Sequence, residues 1–234
     1  MEKGYKMCLM MEYFPFDLGK LIDKQKIEFS VSDIRIVMRQ VLHALESVHD
    51  SGFMHRDVKP SNILLNKDGE CVLIDFGISR KLAKEGEKLT KNVITRWYRP
   101  PELLFGSQEY NESVDIWGLG CVLAELALQK PLFQADSDLN QICKIFEVTG
   151  NPNDVTWPDA KNLPFFFTFN ELEGTGFDSL FKDKDSTIKQ LVEKMLQLDP
   201  KKRVTVKELT KDVFFDVSQE ELDAFKNKLS VVEL

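Results

Sequence analysis

The sequence has no Cys-x-x-Cys pair, no apolar run as long as a bilayer, no massed basic segment, no internal repeat and no low-complexity tract. Each absence removes a class of function. Cys8, Cys71, Cys121 and Cys143 stand alone, with no histidine at zinc spacing, so reduced, buried thiols are expected rather than a zinc site or a redox dithiol. The longest apolar run, from Ile116 to Leu128, is interrupted by Glu125 and falls short of the ~20 residues a membrane helix needs. Acidic side chains outnumber basic ones by 38 to 31, and the basic ones are scattered, which leaves no footprint for direct binding to nucleic acid or to an anionic membrane. The opening residues, MEKGYKM, lack the basic, apolar and small-residue order of a signal peptide. A protein of the nucleus, the cytoplasm or both is expected. Its 234 residues suit one main core, because single cores stop growing at roughly 250–300 residues.

The patterns that are present divide the chain. Residues Tyr5 to Phe14 form an apolar and aromatic run ended by Pro15, which predicts a strand that needs partners. From Ser30 a capping box with Asp33 precedes Ile34, Val37, Met38, Val41, Leu42, Leu45 and Val48 at three- and four-residue steps, predicting a long amphipathic helix that ends near Ser51-Gly52. Two apolar runs then flank Lys67-Asp68-Gly69, the pattern of a tight hairpin. Residues 78–99 are polar and aperiodic and predict a long loop, a feature that is usually functional in compact domains. Helices are expected near 112–129, 137–148, 186–197 and 204–211. An irregular insert rich in proline, glycine and phenylalanine is expected over about 150–181.

Chemistry concentrates around the hairpin. Phosphoryl transfer asks a protein for a group that orients the attacking hydroxyl, oxygen ligands for a metal held on the phosphates, and positive charge where negative charge develops. Hard oxygen donors suit magnesium. Asp57, Asn62 and Asp75 supply such oxygens, and the hairpin folds their segments together. Taken singly, His-Arg-Asp can be a polar turn and Asp-Phe-Gly is a common tripeptide. Together, HRDVKPSN, then DFG with its aspartate 18 residues after Asp57, then PPE at 100–102 form an ordered set that chance does not produce.

This set resembles the carboxy-terminal lobe of eukaryotic protein kinases over about Leu9 to Phe215. The resemblance implies a protein-kinase-like α+β fold, almost entirely the mainly α-helical C-terminal lobe. Residues 1–19 would be a remnant strand and hinge of the N-terminal lobe and 20–234 the C-terminal lobe, with an activation segment over 75–102. By resemblance, Asp57 is the catalytic base, Lys59 the cation facing the transferred phosphate, and Asn62 and Asp75 the magnesium ligands. Lys59 further implies serine and threonine as acceptors. His55 and Phe76 would stack beneath the metal site, and Asp115 would hold the His-Arg-Asp backbone. Glu102 and Arg203 would form a buried salt bridge. ATP would meet Met11, Glu12, Phe14, Asp17, Leu64 and Asp75.

The segment TKNVITRWYRPPELLFG is similar to the cyclin-dependent branch. Mitogen-activated kinases place a Thr-x-Tyr where this chain has Thr90 to Asn92, and Asn92 speaks against that relative. Val93 paired with Arg99, with Thr95 beside them, implies a pocket for proline after the target hydroxyl and hence protein substrates with Ser/Thr-Pro sites. Thr90 aligns with the activating phosphosite, and Arg56 and Arg80 with two of the family's three phosphate-binding arginines. The stretches KPLFQADSDLNQICKIFEVTGNP and TWPDAKNLPFF are similar both to the cyclin-dependent-kinase-activating kinases, including the kinase of transcription factor IIH, and to the cell-cycle-related kinase.

No glycine-rich phosphate loop, strand lysine or helix glutamate precedes Tyr5, and Gly118-x-Gly120 is expected to serve close helix packing instead. The family's cyclin-docking helix is absent as well, although a cyclin-like activator remains an expected partner. Two readings follow. One is a cyclin-dependent serine/threonine kinase using ATP and magnesium, whose upper lobe lies upstream or on another chain. The other is a catalytically inactive kinase-like binding module. Either way, Leu9, Met10, Met11, Phe14 and Leu64 are expected to leave an exposed apolar patch.

Overall fold

The structure, a computed structural model, describes residues 10–84, 86–90, 93–167 and 172–232. Its elements in chain order are β1 (Phe16–Asp17), α1 (Leu18–Asp23), α2 (Val31–Asp50), β2 (Phe53–Met54), β3 (Ile63–Leu65), β4 (Cys71–Leu73), β5 (Arg80–Lys81), α3 (Pro101–Leu104), α4 (Ser113–Leu128), α5 (Asp138–Thr149), α6 (Ser186–Met195), α7 (Val206–Leu209) and α8 (Gln219–Ser230). Helices dominate, and two small antiparallel sheets sit beside them.

Helix α4 organises the core. Its sequence is apolar on all sides, and a helix of that kind must be surrounded. Every residue from Ser113 to Ala127 is buried. Helix α6 packs along it and α2 crosses it. The glycines make this approach close: a Cβ on Gly118 would stand 2.8 Å from the Val58 carbonyl oxygen, and one on Gly120 would stand 2.8 Å from Leu196. The expected packing role of this pair is borne out. Trp117 stacks on Phe133 with ring centroids 6.0 Å apart.

Helix α2 starts as its capping box predicts, with Ser30 Oγ accepting from the Asp33 N–H and the Asp33 carboxylate accepting from the Ser30 N–H. It buries Ile34, Val37, Met38, Val41, Leu42 and Leu45 on one face. The expected hairpin is β3–β4, paired Ile63 to Leu73 and Leu65 to Cys71. Its turn is closed by Asn66, whose side chain accepts from the Asp68 and Glu70 N–H groups, while Gly69 takes the left-handed φ of 81° that the turn demands.

Several expectations are corrected. Residues 10–15 form no strand, and Tyr5 to Leu9 lie outside the described residues. The strand comes after Pro15, where Phe16 and Asp17 pair with Leu65 and Leu64. The loop over 78–99 is pinned by β5, which pairs with β2, and by a 3-10 turn at Arg96–Tyr98. Helix α7 is confined to four residues, and α1, α3 and α8 lie outside every expected helix. Helix α8 does carry a capping box, formed by Ser218 and Glu221. Cys143 is exposed rather than buried, whereas Cys121 is buried, and Cys8 lies outside the described residues. The insert contains only a 3-10 helix at Pro158–Asn162 among its described residues; 168–171 lie outside them. Among the described residues, no helix is long and apolar enough to cross a membrane.

Candidate active site

The hairpin brings the acidic set to one place. Asn62 ends the turn before β3 and Asp75 follows β4, and the Ile74 N–H donates to the Asn62 carbonyl at 2.9 Å. Asn62 Nδ2 donates to the Asp57 carbonyl at 2.8 Å and to Asp57 Oδ2 at 3.0 Å. Lys59 Nζ also donates to Asp57 Oδ2, at 2.6 Å. The other carboxylate oxygen, Oδ1, accepts from the Thr95 N–H at 3.1 Å and from Thr95 Oγ1 at 2.9 Å. Thr95 Oγ1 in turn accepts from Lys59 Nζ at 2.8 Å. Asp57, Lys59, Asn62 and Thr95 therefore form one closed network.

This network sets the charge on Asp57. Burial pushes its carboxyl upward, but the hydrogen bonds from Lys59 and Thr95, together with the Lys59 charge, outweigh burial and hold it below the usual aspartate value. Asp57 is an ionised carboxylate at neutral pH, held in a fixed orientation.

Strained backbone surrounds it. Arg56, Asp75 and Ile94 all have left-handed φ values, of 67°, 67° and 68°. Such a conformation costs on the order of 1–3 kcal/mol for a residue with a side chain and persists only where neighbours enforce it. At Arg56 the enforcing group is Asp115, whose Oδ1 accepts from the Arg56 N–H at 2.7 Å and whose Oδ2 accepts from the His55 N–H at 2.8 Å. His49, on the last turn of α2, also reaches Asp115 Oδ2, at 2.9 Å. The Asp115 backbone anchor inferred from resemblance is thus present, with His49 added.

His55 is fully buried and contacts Phe76 edge-on, ring centroids 4.9 Å apart. Its Nε2 lies 3.0 Å from the Ile74 carbonyl and its Nδ1 lies 3.2 Å from the Asp57 amide nitrogen. A carbonyl can only accept and an N–H can only donate, so the ring carries its proton on Nε2 and is neutral. Burial lowers its pKa against the opposing pull of Asp115 and the Ile74 carbonyl, consistent with that state.

Magnesium is tested by the donors left over. Asn62 commits its Nδ2 to Asp57, which leaves its Oδ1 as a hard oxygen donor. Asp75 is exposed, and its Oδ1 accepts from the Gly77 N–H at 3.2 Å. One carboxylate and one amide oxygen fit an ion that keeps several waters. Among the described residues no group of three His, Cys, Asp or Glu side chains could hold a metal, so the fit rests on Asn62 and Asp75.

The residues assigned to the nucleotide are less enclosed. Met10, Met11 and Tyr13 are exposed, while Phe14 and Leu64 are half-buried; Leu9 lies outside the described residues. Asp17 accepts from the Lys20 N–H as the N-cap of α1. It also lines a cleft of ≈ 590 Å³ with Lys59, Thr95, Tyr98 and Glu125, whereas Met11, Glu12, Phe14 and Leu64 do not. On the floor of that cleft Tyr98 donates to Glu125 Oε2 at 2.7 Å. Burial raises the Glu125 pKa to about 7, Asp23 adds to the rise, and the Tyr98 hydrogen bond opposes it.

The segment over 75–102 is held at several points. Arg99 Nε donates to the Val93 carbonyl at 3.0 Å and its Nη2 to the Ile94 carbonyl at 2.9 Å. Thr90 is exposed, and its carbonyl accepts from Tyr110, whose hydroxyl accepts from Arg56 Nη1 at 2.9 Å. Arg80 is engaged with Glu87 at 2.6 Å, so the two candidate phosphate arginines have different partners. Lys91 and Asn92 lie outside the described residues. Glu102 and Arg203 form two hydrogen bonds of 2.6 Å in the core.

Participants that stood outside the sequence expectations include His49, Ile94 and Tyr110. Of these, His49 alone had a visible signal, a histidine in the last turn of a predicted helix that ends a few residues before the His-Arg-Asp stretch.

Matching against known proteins agrees with this geometry. The protein kinase domain family matches residues 1–215, and the chain belongs to that family. Its curated relatives include cyclin-dependent kinases. Cyclin-dependent kinase G1 of Arabidopsis thaliana is 38% identical, with 86% of this chain and 34% of the relative covered. Cyclin-dependent kinase D-1 of the same plant is 34% identical, over 93% of this chain and 55% of the relative. The chain thus spans about a third to just over half the length of these relatives. A solved structure of the CAK complex from Chaetomium thermophilum bound to ATP-gamma-S shares 37% identity and a TM-score of 0.83, covering 90% of this chain and 68% of that one. The mainly helical kinase fold expected from sequence is therefore correct.

Proposed function

We propose that this chain carries the catalytic loop and activation segment of a cyclin-dependent serine/threonine kinase, which transfers the γ-phosphate of ATP to Ser/Thr-Pro sites in proteins. The single observation that carries the proposal is the closed network around Asp57. A carboxylate kept ionised and aimed by Lys59, Asn62 and Thr95 can accept the proton of an incoming hydroxyl. Lys59, 20% exposed beside it, places positive charge where the transferred phosphate gathers negative charge. Asn62 and Asp75 would hold magnesium, which supplies charge neutralisation on the phosphates when bound. Thr95 fixes the carboxylate orientation from the activation segment, so the position of that segment and the readiness of the base are linked.

Proline selectivity follows from Arg99. A residue after the target hydroxyl would ordinarily offer its N–H to a backbone carbonyl, but Arg99 already occupies the Val93 and Ile94 carbonyls. Proline has no N–H and loses nothing there, whereas other residues bury an unsatisfied donor. Engagement of a cyclin-like activator belongs to the same proposal, supported by the kinship with cyclin-dependent kinases, and so do phosphorylation at exposed Thr90 and action in the nucleus or cytoplasm.

A binding module without transfer activity is the second reading, favoured by the exposure of Met11 (62%) and Phe76 (52%) beside the assigned nucleotide residues. One assay decides between them. The chain is incubated with magnesium and γ-labelled ATP and with peptides carrying Ser-Pro or Ser-Ala. Label on Ser-Pro alone, lost in Asp57→Asn, is the expected result; peptide binding without label in either protein supports the module.

A further inference from the structure

Ile94 is a β-branched residue in left-handed backbone, an arrangement that survives only under external restraint. Arg99 supplies the restraint through the Val93 and Ile94 carbonyls, yet a flexible guanidinium can do so only if it is itself held. Asp138, in the first turn of α5, holds it. Its Oδ2 lies 3.1 Å and its Oδ1 3.2 Å from Arg99 Nη1. Asp138 Oδ1 also accepts from Arg96 Nε at 2.8 Å, and Arg96 Nη1 donates to the Asp136 carbonyl at 2.8 Å. Trp97 Nε1 donates to the Ala135 carbonyl at 2.9 Å. The stretch 96–99 is thereby fastened to the start of α5 by three side chains, and Asp138 is the one carboxylate shared by both arginines.

We infer that Asp138 is a positioning residue for substrate selection: by clamping Arg99 it keeps the Ile94 peptide in the orientation that favours proline after the target hydroxyl. The inference rests on the kinase reading above and adds a residue some forty positions away in sequence from the peptide it controls. Asp138 does not touch the Asp57 network, so its loss should alter choice of substrate more than the chemistry. Neutralising one partner of a charged hydrogen bond to a largely buried arginine, 14% exposed at its side chain, leaves that arginine free to swing toward solvent. The Ile94 peptide can then relax to negative φ, presenting a carbonyl that accepts an N–H.

The test compares affinities of fluorescent Ser-Pro and Ser-Ala peptides for the 234-residue chain by anisotropy, without nucleotide, in the natural protein and in Asp138→Ala and Asp138→Glu. The preference for Ser-Pro should fall on the order of tenfold in Asp138→Ala and return in Asp138→Glu, which keeps the charge. Circular dichroism at equal temperature checks that the variants remain folded, and a crystal structure of Asp138→Ala should show Ile94 at negative φ. An unchanged preference in folded Asp138→Ala, absence of any preference in the natural protein, or a retained left-handed Ile94 in the variant would each overturn the inference. Label transfer from ATP is measured separately in the same proteins: a proline preference in binding without any transfer removes the kinase reading and leaves the role of Asp138 standing.

Discussion

Removing Arg203 should expose how much of the fold hangs on one buried ion pair. Its guanidinium makes paired 2.6 Å hydrogen bonds to both Glu102 oxygens, with side chains 0% and 3% exposed. It further donates to the Gln197, Leu198 and Ser113 carbonyls, and lies 4.9 Å from the Trp117 ring centroid. Arg203→Ala therefore strands a carboxylate in the core, takes a donor away from three carbonyls and leaves a cavity over Trp117. Breaking a buried pair on one side costs about 3–5 kcal/mol. For a chain of this size, where 1 kcal/mol moves the melting temperature by roughly 2–4 °C, the midpoint should fall by about 6–20 °C. Urea unfolding followed by tryptophan fluorescence gives the free energy, with the m-value as the check on cooperativity. The double variant Glu102→Leu with Arg203→Met should regain at least half of the loss, because no charge is then left buried. A loss below about 1 kcal/mol in Arg203→Ala, or a double variant worse than the single one, would refute the reasoning.

Two further perturbations probe other parts of the account. Glu125 has a folded-state pKa raised from 4.5 to about 7, so the folded protein holds a proton that the unfolded chain releases; the associated stability is fully present below pH ~4.5 and is lost as pH rises to about 7. Glu125→Gln should remove up to ~3 kcal/mol of that pH dependence, seen as a widening gain over the natural protein between urea melts at pH 5 and pH 8. Gly118→Ala would drive a methyl to within 2.8 Å of the Val58 carbonyl. It should cost about 1–3 kcal/mol and displace the catalytic loop, checked by melting and by a crystal structure around Asp57.

How far the sequence reveals this molecule depends on the range of each interaction. Helix α2 is legible because its capping box and its apolar spacing are both local and agree. The meeting of Asp57, Asn62 and Asp75 is legible because a hairpin joins them within nineteen positions. The restraint on Ile94 is not legible. Nothing about an isoleucine announces left-handed backbone, and the carboxylate that secures it through Arg99 sits on α5. Tyr110 likewise joins Arg56 to Thr90 by contacts that no local pattern announces. Over residues 10–14 the strand expected before Pro15 does not form, for the opposite reason: apolar composition alone specifies no partner, and Met10, Met11 and Tyr13 remain exposed. Cys143 shows the same limit, since its solitary place in the sequence did not tell that its helix face meets solvent.

The role given to Asp57 can be read in one comparison: initial rates of label transfer from γ-labelled ATP to a Ser-Pro peptide by the natural chain and by Asp57→Asn, with equal peptide affinity as the control. Loss of a positioned general base predicts a rate at least a hundredfold lower in Asp57→Asn with the peptide still bound. Equal rates in the two proteins, or no transfer by the natural chain while it binds magnesium, ATP and peptide, would contradict it.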